Sequence, residues 1–161
     1  MKFLFPFIVL MFPCVLNAED TFFRAIFPPS LLQKYGDDPH LFFEVDLHQV
    51  VLEPVSPEQR KALFAKYSVD DGLRPEPVRR VAPTYPYEQM QEGVSGNATV
   101  YLVISQDGLV TDVFVGEYTH VNFAKAAAFG GKFWRFKPSH RAQLIGLPIP
   151  FSSRGGVRKK H

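Results

Sequence analysis

The sequence predicts a mixed fold of antiparallel strands and helices, and three observations carry that prediction. Residues from Ala98 to Ile104 alternate with period two, Asp107-Gly108 separates them from a second apolar run, and an Ala-rich segment follows. Alternation sets Ala98, Val100, Leu102 and Ile104 on one face and Thr99, Tyr101 and Val103 on the other, the pattern of a strand with one buried side. Gln106-Asp107-Gly108-Leu109 then predicts a hairpin through a type I′ turn, which needs positive φ at both central residues. Val110 to Val115 is the returning strand. Asn122 is placed to cap a helix carrying Ala124, Ala126, Ala127 and Ala128, residues of high helix propensity that also permit close packing on a sheet. Gly130 and Gly131 are expected to weaken its end. Phe133, Trp134 and Phe136, interleaved with Arg135 and Lys137, predict a short aromatic strand or extended exit that Pro138 stops. A last apolar run, Gln143 to Phe151, supplies one more strand, which Pro148 and Pro150 push toward a sheet edge.

The N-terminus reads separately. Lys2, the apolar run Phe3 to Leu16 and then Asn17-Ala18 have the layout of a secretory signal peptide, residues 1–18, cleaved after Ala18. The run is shorter than the roughly 20 apolar residues of a spanning helix, and Pro6 and Pro13 interrupt it. Inner-membrane anchoring through a retained segment is the alternative. Cys14 lies inside this run, and Met11-Phe12-Pro13 before it lacks the small residues of a lipid-attachment site, so it reads as an apolar signal residue. The expected mature chain therefore has no cysteine and no disulfide.

At 161 residues and 46% hydrophobic, the chain has the size of one small domain with an extension. A net charge of +2 from 18 basic and 16 acidic residues gives no electrostatic footprint of a nucleic-acid binder. Residues 19–80 form the N-terminal extension and its Pro-containing linker. Thr21 to Pro29 is apolar, and Leu41 to Leu52 alternates as a strand would. Ser56 as N-cap, Pro57 at the first helical position and Gln59 at N3 make a capping box, with Ala62, Leu63 and Tyr67 as the apolar stripe of the helix. Asp70-Asp71-Gly72 ends this unit, and Arg74 to Arg80, with Pro75 and Pro77, reads as an extended linker. Packing of this piece on the rest and a separate appendage both remain open.

Catalytic chemistry finds little footing. His40, His48, His120, His140 and His161 are scattered without metal-ligand spacing, and no nucleophile elbow or phosphate-binding loop occurs. Asp37-Asp38 and Asp70-Asp71 stand beside glycine and read as solvated turns. No enzymatic activity, cofactor or metal is expected. Residues 152–161 form a basic tail, with Arg154, Arg158, Lys159, Lys160 and His161, whose solvated reading competes with contact to lipid headgroups or cell-wall polymer.

The order of these features resembles the C-terminal domain of TonB-family energy transducers. Tyr85-Pro86 is similar to the Tyr-Pro that opens that domain, Gly96 to the Gly that starts its first strand, Asp107-Gly108 to its hairpin, and Trp134-Arg135-Phe136-Lys137-Pro138 to its Trp-Arg-Phe-x-Pro signature. The resemblance covers residues 81–151. It implies an α+β fold, a three-stranded antiparallel sheet with two helices on one face. It also implies a periplasmic protein-binding module that contacts outer-membrane receptors or other envelope proteins by β-strand addition. The strand expected last in sheet order supplies the partner-binding residues, Gln143, Leu144, Ile145, Gly146 and Leu147. A homodimer through the same edge is a competing use. Tyr85, Pro86, Gly96, Asp107, Gly108, Trp134, Phe136 and Pro138 are expected to serve the fold itself. A structural envelope protein that binds peptidoglycan or lipid, and a membrane-anchored transducer, are the alternative readings. The short linker and short apolar run depart from a complete transducer, and Ala124 and Gly130-Gly131 depart from the family helix, which is expected to be shorter or looser here.

Overall fold

A computed structural model of the chain describes residues 22–35, 47–67 and 74–153. The elements are β1 (Phe22–Ile26), α1 (Pro29–Tyr35), a 3₁₀ turn (Leu47–Gln49), β2 (Val51–Val55), α2 (Pro57–Tyr67), β3 (Pro77–Arg79), α3 (Tyr87–Gln91), β4 (Gly96–Ile104), β5 (Val110–Tyr118), α4 (Val121–Lys132), β6 (Arg135–Phe136) and β7 (Gln143–Phe151). The expected cleavage site, the aspartate pairs and the basic tail from Arg154 onward lie outside the described residues.

The α+β class holds, but among the described residues the sheet has five strands, in the order β2-β1-β5-β4-β7, beside a separate pair, β3-β6. All pairings are antiparallel. The expected three strands are β5, β4 and β7. The two additional ones come from the extension, because β1 pairs Phe23, Arg24 and Ala25 with Val115, Phe114 and Val113 of β5. An Arg24–Asp112 ion pair at 2.8 Å reinforces that join. The extension is thus continuous with the sheet.

Among the described residues the helices number four rather than two, and α2 and α4 pack on opposite faces of the sheet. Ala98, Val100, Leu102, Ile104, Val113 and Val115 form the buried side of the sheet, with Phe123, Ala124, Ala126, Ala127 and Ala128 of α4 against them. The alanines bring the helix axis close to the strands, as their size predicts. Tyr35 of α1 meets Phe129 of α4 edge-on, with ring centroids 5.6 Å apart, in a second cluster with Leu31, Val50, Val81 and Phe133. The opposite side of the sheet carries Phe22, Tyr101 and Phe114. There Phe64 of α2 packs at 6.2 Å from Phe22 and 5.4 Å from Tyr101.

Several local expectations shift. The capping box of α2 forms: Gln59 N–H donates to Ser56 Oγ at 3.1 Å, and Ser56 N–H to Gln59 Oε1 at 2.9 Å. Its docking group is Phe64, whereas Ala62 is exposed and Leu63 and Tyr67 are half-buried. The strand expected over Leu41 to Leu52 is displaced to Val51–Val55, after the 3₁₀ turn; residues 41–46 lie outside the described residues. Residue 120, not Asn122, caps α4: His120 Nδ1 accepts the Asn122 N–H at 3.1 Å. The helix runs through Gly130 and Gly131 to Lys132, so it is not truncated there. Both glycines are buried in tight contacts: a Cβ would lie 3.0 Å from Pro83 Cα and 2.9 Å from the Leu102 side chain, respectively, so these neighbours would have to shift to admit one.

Candidate functional site

The hairpin signature residues form a connected block. Gly108 N–H donates to Ser105 C=O at 3.0 Å, and Ser105 N–H to Leu109 C=O at 2.8 Å. This is a three-residue loop with only Gly108 at positive φ (+80°), which corrects the two-residue type I′ turn expected from Asp107-Gly108. A Cβ on Gly108 would meet Phe136 O at 2.0 Å, and the Phe136 N–H donates to Gly108 C=O at 2.9 Å. Phe136 is buried, and Pro138 follows β6 in an exposed position. Trp134 Nε1 donates to Val81 C=O at 2.8 Å, tying β6 back to the start of the domain.

Tyr85, Pro86 and Gly96 meet at the far end of α4. The Tyr85 ring stands edge-on to Phe123 at 5.6 Å and to Phe151 at 5.8 Å, while its hydroxyl donates to Val94 C=O. Pro86 is the N-cap of α3. At Gly96 a Cβ would lie 2.1 Å from Thr119 Oγ1 and 2.6 Å from the Phe123 ring, so the close approach of the chain excludes a side chain. These residues serve packing and backbone geometry. Lys132, at the other end of α4, donates to Val110 C=O at 2.9 Å and Thr111 C=O at 2.8 Å, and its burial pushes the ammonium below the usual lysine range.

The five residues Gln143, Leu144, Ile145, Gly146 and Leu147 form the first half of β7, the outermost strand of the sheet. The strand pairs with β4 along its whole length, from Ile104↔Gln143 to Gly96↔Phe151. Among the described residues no strand pairs with its other side. In its second half Leu147, Ile149 and Phe151 turn inward, and Pro148 and Pro150 are exposed. Gly146 is exposed too, with Tyr101 against its inner face: a Cβ would lie 2.9 Å from Tyr101 Cε1. The outer edge of β5, by contrast, is filled by β1. Among the described residues there is no group of three metal-binding side chains, and no helix is long and apolar enough to cross a membrane. Sequence reasoning missed the aromatic cluster Phe22, Phe64, Tyr101 and Phe114, because its members are scattered along the chain and show no common period.

The fold and this edge define a small antiparallel sheet domain with a helix-packed core and an outer strand left for backbone pairing. Residues 81–152 match the family model described as Gram-negative bacterial TonB protein C-terminal. A solution NMR structure of the Pseudomonas aeruginosa TonB CTD is similar at 23% identity, with a TM-score of 0.45, covering 58% of this chain and 95% of that one. No curated protein matches the sequence.

Proposed function

We propose that the protein is a periplasmic, non-enzymatic binding module of TonB-type transport, which contacts an outer-membrane receptor or another envelope protein by adding a strand to β7. The observation that carries this reading is the outer edge of β7, unpaired among the described residues, within the segment that matches the family. An edge strand offers a row of backbone donors and acceptors, and a partner segment that pairs with it gains main-chain hydrogen bonds worth roughly 0.5–1.5 kcal/mol each. Residues 1–18 act as a signal peptide, and residues 19–80 as an extension of the sheet.

Binding of the full chain to purified outer-membrane receptors tests the reading. The expected result is a saturable complex that Leu144→Pro weakens by about tenfold or more. Binding only to peptidoglycan or to lipid vesicles, unaffected by Leu144→Pro, would favour the structural envelope role instead.

A further inference from the structure

The ladder between β4 and β7 fixes which backbone groups of β7 face outward. In an antiparallel strand the N–H and C=O of one residue point to the same neighbour, and those of the next residue point the other way. Asn97 turns both groups toward β5: its N–H donates to Thr119 Oγ1 at 3.0 Å, and its C=O accepts from Thr119 N–H at 3.0 Å. Val103 C=O points the same way, accepting from Thr111 Oγ1 at 3.3 Å. The intervening residues Ala98, Val100 and Leu102 therefore bond their β7 partners Ile149, Leu147 and Ile145. The register of this pair is unbroken, so Leu144, Gly146, Pro148 and Pro150 turn their backbone groups to the free side. Prolines have no N–H. The outer row thus keeps all its carbonyls but has donors only at Leu144 and Gly146.

We propose that β7 accepts an extended segment of a different protein in a single register centred on Leu144 and Gly146, with Pro148 and Pro150 acting as specificity determinants that hinder self-pairing. This proposal rests on the strand-addition reading above and adds the register and the choice of occupant. A partner segment with free N–H groups exchanges paired bonds at Leu144 and Gly146 and can also donate to the proline carbonyls. Gly146 projects no side chain toward it. A second copy is a poorer match. Two β7 strands laid antiparallel about Leu147 set Gly146 against Pro148 and Leu144 against Pro150, and each such pair loses one of its two bonds. Sliding the overlap to Ile145 restores the Leu144–Gly146 pairs but runs off the strand. The chain before Gln143 is held elsewhere, with His140 C=O accepting from Gln106 Nε2 at 3.1 Å and Arg141 C=O from Ser139 Oγ.

Residue-resolved amide exchange on the full chain tests this, free and with synthetic peptides tiling the periplasm-facing segments of outer-membrane receptors. In the free protein the Leu144 and Gly146 amides are expected to exchange fast, while Ile145, Leu147 and Ile149 are protected. A bound peptide is expected to slow Leu144 and Gly146 by about tenfold or more. The Pro148→Ala/Pro150→Ala variant restores the missing donors, and sedimentation should show it self-associating where the parent chain is monomeric. Protection by peptide at other amides overturns the register while leaving receptor binding intact. If no peptide binds but the alanine variant self-associates, the receptor reading fails and the role of the prolines stands. A parent chain that already dimerises through slowed Leu144 and Gly146 amides, or an alanine variant that stays monomeric, overturns the proposal.

Discussion

Replacing Phe123 by Ala tests whether the core and the edge strand β7 are joined where the structure joins them. The ring is fully buried. It stacks on Phe151, the last residue of β7, at 4.6 Å, meets Tyr85 at 5.6 Å and His120 at 6.2 Å, and lies beneath Gly96. Transfer of a buried Phe side chain to water accounts for about 2–3 kcal/mol. The cavity left among rings that cannot fully collapse raises the expected loss to about 3–5 kcal/mol. At roughly 2–4 °C per kcal/mol for a chain of this size, the thermal midpoint should fall by about 6–20 °C. Circular dichroism melts and urea titrations of the single variants and of Phe123→Ala/Phe151→Ala supply the assay. The stacked pair should show a coupling of about 0.5–1.5 kcal/mol. A midpoint shift below about 3 °C, or strict additivity of the two substitutions, would refute the reasoning.

Two further perturbations follow from the same packing. Gly108→Ala combines a positive φ with a Cβ placed 2.0 Å from Phe136 O, and should destabilise the fold by about 2 kcal/mol or more in urea titrations; a near-neutral variant would contradict the loop geometry. Lys132 is held below its ordinary 10.5 first by burial, with the Asp112 charge opposing the shift. The unfolded state therefore binds more protons between the lowered folded value and 10.5, so the stability of the parent chain relative to Lys132→Gln should rise with pH across that window. A relative stability that falls there would mean that burial is not the controlling cause.

The parts of this fold legible in the sequence are those where one local rule decides. The β4 alternation, the Ser56–Gln59 capping box and the proline-marked edge strand β7 each follow from a single period or side-chain bond. The extension was harder to read, for a physical reason. In β1, Phe22 faces Phe64 and Tyr101 while Phe23 packs toward the α4 side, so both faces are covered and no alternation marks the strand. Asp107-Gly108 announces a hairpin, yet the choice between a two-residue and a three-residue loop depends on Ser105 closing against Leu109, a pairing that local composition does not encode. His120 displaces Asn122 as the cap of α4 because its ring nitrogen reaches the Asn122 N–H, while Asn122 itself bonds Glu88 and the buried Gln89 of α3. The edge position of Gln143 to Leu147 was legible through the neighbouring Pro148 and Pro150 and the family resemblance; the outward donors at Leu144 and Gly146 needed the ladder.

Site-specific photocrosslinking in living cells locates the receptor contact, with the reactive group placed at Gln143, at the start of β7 and outside the core cluster, or at Val51, 49% exposed, on the opposite edge strand β2. The account predicts a product joining an outer-membrane receptor to the Gln143 probe, with little from Val51, and its loss when Leu144→Pro is added. Receptor products from Val51 with none from Gln143 would contradict it.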